Sequence, residues 1–226
     1  AYTGIVSRVF DTGATESGYG LLLSGENGIM FGFKTPGADF QYPKTPAGSL
    51  KIGQWQHVAA TYDGKQAVLY INGERLASHA FVAAALHYEP DHNLYLGTYL
   101  DNDERYPFQG LMADVRLFQI ARTQDEIVRT MKHRLNGNEA GLVGYWPLDD
   151  GGITSDRTER KIHGVIQGGF WESQSSPLSD GPAPAALPPV KPVWTPLQGG
   201  CLDLFVGTHA DGRLLPLVRG SNGAPY

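Results

Sequence analysis

Along most of this chain apolar and polar residues alternate in short runs, and glycine, asparagine and proline cut the runs apart. Residues 4–10 (GIVSRVF) and 19–24 (YGLLLS) read as strands separated by the turn-rich DTGATESG, and GENG at 25–28 leads tightly into IMFGF at 29–33. Residues 35–53 are loop-like, with Pro36, Pro43 and Pro46. From Gln54 to Tyr62 the period is two: Trp55, His57, Ala59 and Thr61 share one face, and Val58, Ala60 and Tyr62 the other. Asp63-Gly64 then turns the chain and AVLYI returns. Asn72-Gly73 is the strongest two-residue hairpin signal, because a type I′ turn needs positive φ at both positions. Three consecutive antiparallel strands are expected here.

Residues 93–99 (NLYLGTY) and 110–118 (GLMADVRLF) predict further strands flanking the polar LDNDERYPFQ, and GLVGYWP and KIHGVIQGGFW predict two more. One helix interrupts this series. Thr123 with Glu126 three residues on forms a capping box, and Ile127, Met131 and Leu135 follow at four-residue spacing. Gly137 is placed to end it. At 175–192 six prolines among small residues predict a stiff linker, placed at 177–193 after a domain spanning 1–176. Beyond it, 194–226 reads as a β-hairpin turning at Ala210-Asp211-Gly212. A lone hairpin is not stable, so it must join the main domain or begin a further module.

Composition supports an all-β reading. Gly 29 and Pro 15 together make roughly a fifth of the 226 residues, as many short strands joined by turns require. The net charge of -5, with no basic cluster, argues against nucleic acid as a partner. No stretch reaches the roughly 18 apolar residues of a membrane-spanning helix, so no membrane insertion is expected. Residues 1–30 lack a signal peptide's charged start, as expected of an excerpt or a mature product. The single cysteine, Cys201, excludes an internal disulfide.

GQWQHVAATYDGKQAVLYINGERLA at 53–77 resembles the signature of laminin-G-like, concanavalin A-like lectin/glucanase jelly rolls. FQGLMADVRLFQIARTQDEI is similar to the closing strand and following helix of that family, and GLVGYWPLDDGGITSDRTERKIHGVIQGGFW to its bacterial tail. The resemblance covers about residues 4–176 and implies a jelly-roll β-sandwich of two antiparallel sheets with one short helix. Two departures stand out. Relatives begin with a strand and a Trp ahead of this chain's first residue, so those strands are missing or another segment replaces them. Where relatives carry Ile-Asp-Glu-Val, this chain has Met112-Ala113-Asp114-Val115, which removes an acid that helps some members hold calcium.

Trp55 and His57, on an alternating strand, are expected to be structural. The densest set of ligand-type groups lies at 87–108, with His87, Tyr88, Asp91, His92, Tyr99, Asp101, Asn102, Asp103, Glu104 and Tyr106. Carboxylates and amides suit sugar hydroxyls, and a ring stacks on a pyranose. Tyr88, Asp91, His92, Tyr99, Asp101, Asn102, Asp103 and Tyr106 are therefore the candidate ligand-binding residues. Asp101 and Asp103 are also candidate calcium ligands, although no cofactor is required. His87 and His92 make a zinc pattern with no third ligand. No Glu-x-Asp-x-x-Glu carboxylate set, Gly-x-Ser-x-Gly elbow or His-Glu-x-x-His motif occurs, so no catalytic residue is assigned.

The expected role is a non-catalytic carbohydrate-binding or adhesive module of a larger secreted, extracellular protein. Its expected partners are a glycan, a cell-surface or protein partner, and other domains of the same parent chain. The alternative is a structural or docking domain, such as part of a toxin subunit or an enzyme accessory domain, that binds no sugar. A glycosidase or lyase is the third reading.

Overall fold

A computed structural model describes residues 2–89, 91–149, 154–167 and 178, and the backbone of 200–207 and 217–220. Its strands are β1 (Thr3–Asp11), β2 (Glu16–Ser24), β3 (Gly28–Phe33), β4 (Gln56–Tyr62), β5 (Gln66–Ile71), β6 (Glu74–Ala80) and β7 (Tyr95–Leu96). They continue as β8 (Thr98–Leu100), β9 (Arg105–Pro107), β10 (Leu111–Phe118), β11 (Leu142–Trp146), β12 (Gly164–Gln167), β13 (Gly200–Gly207) and β14 (Leu217–Gly220), with one helix, α1 (Gln124–Thr130). A front sheet runs β12-β14-β7-β1-β2-β3, with β9 joined to β1 and β8 to β9; a back sheet runs β11-β10-β13-β4-β5-β6. Pairing is antiparallel except for the short β9–β1 contact. This is the expected all-β jelly-roll sandwich.

The two-residue period decides which side chains meet between the sheets. Ile5, Leu21, Ile29, Phe31 and Phe33 of the front sheet pack against Val58, Ala60, Tyr62, Leu69 and Val115 of the back sheet. Ala59, Val68 and Tyr70 point the other way and are covered by Ile127 of α1. β4 and β5 of the back sheet are thus buried on both faces, and His57 and Thr61, on the Ala59 side, are 1% and 4% exposed. His57 is structural, as its strand position predicts. Its N–H donates to Asn72 Oδ1 (3.0 Å) and its carbonyl accepts from the Asn72 N–H (2.8 Å). Asn72 and Gly73 hold φ of 52° and 77°, the positive pair that the turn requires. Trp146 lies in the inter-sheet core, while Trp171 lies outside the described residues.

A buried ionic knot fixes the outer layer of the back sheet. Arg116 is 0% exposed; it pairs with Asp114 and donates to the carbonyls of Thr130 (3.1 Å) and His133 (2.5 Å). Asp114 Oδ1 accepts from the Tyr145 hydroxyl (2.8 Å), which itself accepts from the Leu135 N–H (3.2 Å). This knot corrects the predicted helix length. The Thr123–Glu126 capping box forms, but the helix stops at Thr130 instead of running to Gly137. Arg116 captures two carbonyls at that point and draws the chain onto the sheet. Gly137, at φ +93°, serves a later turn in which a Cβ would overlap Arg157 O.

Three more expectations change. The strand expected at 93–99 breaks at Gly97 (φ +80°), so β7 pairs with β1 while β8 crosses over it, where a Cβ on Gly4 would meet Tyr99 N at 1.9 Å. Part of the predicted loop at 35–53 lies along β3, with Phe33 and Gln41 exchanging both backbone bonds (3.0 and 2.8 Å). The last two strands do not form a hairpin. β13 sits between β10 and β4 in the back sheet, and β14 sits between β12 and β7 in the front sheet. The linker expected at 177–193 lies outside the described residues except for Leu178.

Replacing Arg116 with Met leaves Asp114 buried without its counter-charge. Urea unfolding is expected to show a loss of about 3–5 kcal/mol, part of which the double variant Asp114→Asn, Arg116→Met recovers. An unchanged midpoint for the single variant would show that the pair is not needed.

Candidate functional site

The positions of β1–β3 that alternate with the inter-sheet core build a second, smaller cluster on the outer face of the front sheet. There Val9, Leu22, Met30 and Tyr99 are buried together, with Tyr2, Phe40 and Tyr106 packed on them. The floor beside them is nearly bare, since register places Ser7, Gly20 and Gly32 side by side across three strands. Small residues in that row let rings lie low on the sheet. A Cβ on Gly32 would stand 3.0 Å from the Phe40 ring and 3.4 Å from Tyr42.

Two aromatic flanks result. On the β3 side Phe40 and Tyr42 stack at 5.0 Å and 28°, and Tyr42 remains 47% exposed. On the β1 side Tyr2, Tyr99 and Tyr106 form a triangle with ring centroids 5.4, 5.0 and 5.8 Å apart. The β8–β9 hairpin holds this triangle over β1, where the Ser7 hydroxyl donates to Thr98 O (2.7 Å).

Carboxylates are set among the rings. The Tyr106 hydroxyl donates to Glu104 Oε1 (2.9 Å), and this bond, ahead of any burial, pushes the Tyr106 phenol up. Burial, then the Glu104 charge, push Tyr2 up to about 12. Burial followed by Glu16 raises Tyr42, and burial followed by Asp101 raises Tyr99. Burial also raises the Glu16 carboxyl, an effect that Lys34 at 3.8 Å opposes. At neutral pH the phenols are therefore neutral hydroxyl groups beside acidic acceptors, and the rings of Tyr2, Tyr42 and Tyr106 stay part-exposed. Such a surface can exchange hydrogen bonds with hydroxyl groups and stack against an apolar ring face.

The structure divides the candidate residues read from sequence. Tyr99, Asp101, Glu104 and Tyr106 belong to this face, with Asn102 and Asp103 exposed in the β8–β9 turn above it. Tyr88 and His92 lie elsewhere. Tyr88 meets Tyr19 edge-on at 5.7 Å under the Arg8 guanidinium (4.9 Å), and His92 meets Phe10 at 5.6 Å and Tyr95 at 6.0 Å. Arg8 and Phe10 occupy the β1 positions that alternate with Val9. Asp91 is exposed, and the exposed His87 contributes its backbone, donating to Lys34 O at 2.8 Å.

Asp101 does turn work. Its Oδ1 accepts from the N–H groups of Asp103 (3.2 Å) and Glu104 (2.8 Å). Among the described residues no three His, Cys, Asp or Glu side chains converge as metal ligands. Of the 6–8 oxygens that a calcium shell needs, Asp101 and Asp103 are thus joined by no third converging carboxylate among the described residues.

Sequence reading missed Tyr2, Glu16, Phe40 and Tyr42. The period-two Phe40-Gln41-Tyr42 was the available signal, but it acquires meaning only beside Gly32.

Two facing antiparallel sheets define a jelly-roll β-sandwich. The chain belongs to the concanavalin A-like lectin/glucanases superfamily, whose laminin-G model matches residues 2–128. It is also similar to pappalysin-1 of Mus musculus, 34% identical over 82 residues, which is 36% of this chain and 5% of that protein. The chain thus spans a small fraction of the length of this curated relative.

Burial, followed by the Arg8 charge, lowers the His92 pKa below its ordinary 6.5. The unfolded chain then takes up the proton first, so this contribution to stability is present above pH 6.5 and is lost as pH falls through and below that value. His92→Gln is expected to flatten this part of a stability-versus-pH profile from chemical denaturation. An equally steep decline in the variant would assign it to other groups.

Proposed function

We propose that this domain is a non-catalytic, carbohydrate-binding module of a larger secreted protein, and that a glycan lies on the outer face of the front sheet. The observation that carries this reading is the pair of aromatic flanks, Phe40–Tyr42 and Tyr2–Tyr99–Tyr106, set with carboxylates over the Ser7-Gly20-Gly32 row. Exposed ring faces offer stacking, and Glu16, Glu104 and the phenols offer acceptors and donors to sugar hydroxyls.

The same carboxylates favour binding over hydrolysis. Glu104 is engaged by Tyr106, Glu16 by Lys34, and Asp101 by backbone amides. Groups held this way orient hydroxyls rather than supply a nucleophile and a proton donor facing one scissile bond. Calcium is not required in this reading, because the rings and the phenol hydroxyls already offer stacking and hydrogen bonds to a sugar.

A glycan array, run with and without a chelator, tests it. Binding to at least one glycan class is expected, unaffected by chelation. The double variant Phe40→Ala, Tyr42→Ala is expected to weaken it about tenfold, or about 1.4 kcal/mol. Failure to bind any glycan would sink this reading and favour a docking domain.

A further inference from the structure

Both sheets are completed by strands from the end of the chain. β13 pairs with β4 from Gly200↔Tyr62 to Val206↔Gln56, and on its other side with β10 from Cys201↔Phe118 to Gly207↔Leu111. β14 pairs with β12 and with β7. Each is an interior strand, and neither neighbour is joined to it by a tight turn. Without β13, the facing edges of β4 and β10 would lose their backbone partner along its whole length. Unpaired edges of this kind accept any strand of matching pattern.

The pattern of β13 matches its slot. Leu202 and Leu204 stand at the register of Ala60 and Val58, the core positions of β4. Asp203 stands at the register of the buried Arg116.

The connection to this strand is long. Residues 168–199 number 32, seven of them proline, between the end of β12 and the start of β13. Their contour is at most about 110 Å, against a diameter of about 40 Å for a domain of this size. The strand can therefore reach a neighbouring molecule.

We propose that the slot between β4 and β10 is a strand-binding surface filled within the chain by β13 and fillable by β13 of a second copy, giving a strand-exchanged dimer. The hydrogen bonds are the same in both arrangements, so the balance depends on the effective concentration of the tethered strand. For a tether whose length spans its site that is of order 1 mM. The domain is thus monomeric when dilute and exchanges when refolded near that concentration.

The lone Cys201 makes this testable, because it pairs in register with Thr61. One full-length variant carries Thr61→Cys with Cys201→Ser, and its companion is the unaltered chain. Only an interchain bond can then join positions 61 and 201. Refolded together at ~1 mM and oxidised, the mixture is expected to give a substantial share of mixed covalent dimer, far above that from random thiol pairing. The same mixture refolded at ~1 µM, well below the effective concentration of the tether, is expected to give little. A mixed dimer no more abundant than random pairing at the higher concentration, or equally abundant at both, would overturn the proposal. If the Thr61→Cys chain does not fold, Phe118→Cys with Cys201→Ser replaces it, since Phe118 is the other register partner of Cys201.

Discussion

Burial of β4, β5 and the Asp114–Arg116 part of β10 on both faces of the back sheet is the constraint on which the rest of this structure depends. One face packs on the front sheet, the other lies under α1 and the return through Leu135 and Tyr145. A sheet covered twice has no room for an unsatisfied polar group. Arg116, fully enclosed, therefore needs Asp114 and the carbonyls of Thr130 and His133, and the helix ends where those carbonyls are given up. The same cover places His57 and Thr61 beyond the reach of any ligand, although their chemistry alone would make them attractive.

The front sheet is treated differently. Its outer face is covered by side chains, and these remain part-exposed. Tyr2, Phe40 and Tyr106 bury Val9, Leu22 and Met30 with one side and keep the other toward solvent, and the exposed Tyr42 stacks on Phe40. They are carried by strands or by segments hydrogen-bonded to strands, which fixes their spacing better than free loops would. Burial, together with acidic neighbours, raises the phenols further above neutral pH, so the face offers neutral donors beside charged acceptors. The division of labour between the sheets is what makes the glycan reading specific to one surface.

Much of the fold was legible because it is written locally. The alternation from Gln56 to Tyr62, the Asn72-Gly73 turn and the Thr123–Glu126 capping box each specify their own element within a few residues. Elements set by distant partners were not. The helix length depends on Arg116, reaching Thr130 from fourteen residues away, and the places of β13 and β14 depend on pairings with strands fifty or more residues distant. The site was half legible for the same reason. Tyr99, Asp101 and Tyr106 fall close together in sequence, whereas Tyr2, Glu16 and Tyr42 join them only through the register of β1, β2 and β3. Conversely, Tyr88 and His92 are near neighbours in sequence, yet Tyr88 packs at Tyr19 under Arg8 and His92 at Phe10 and Tyr95.

The central claim is that the outer face of the front sheet is the working surface and the back sheet is scaffold. Titrating the protein with a glycan that it binds, while following side-chain resonances by NMR, tests this most directly. The ring signals of Tyr2, Tyr42 and Tyr106 are expected to shift in proportion to occupancy, with those of His57 and Tyr145 unmoved. Shifts confined to His57 and Tyr145, or to Tyr88 and His92, with the outer tyrosines silent, would contradict the account.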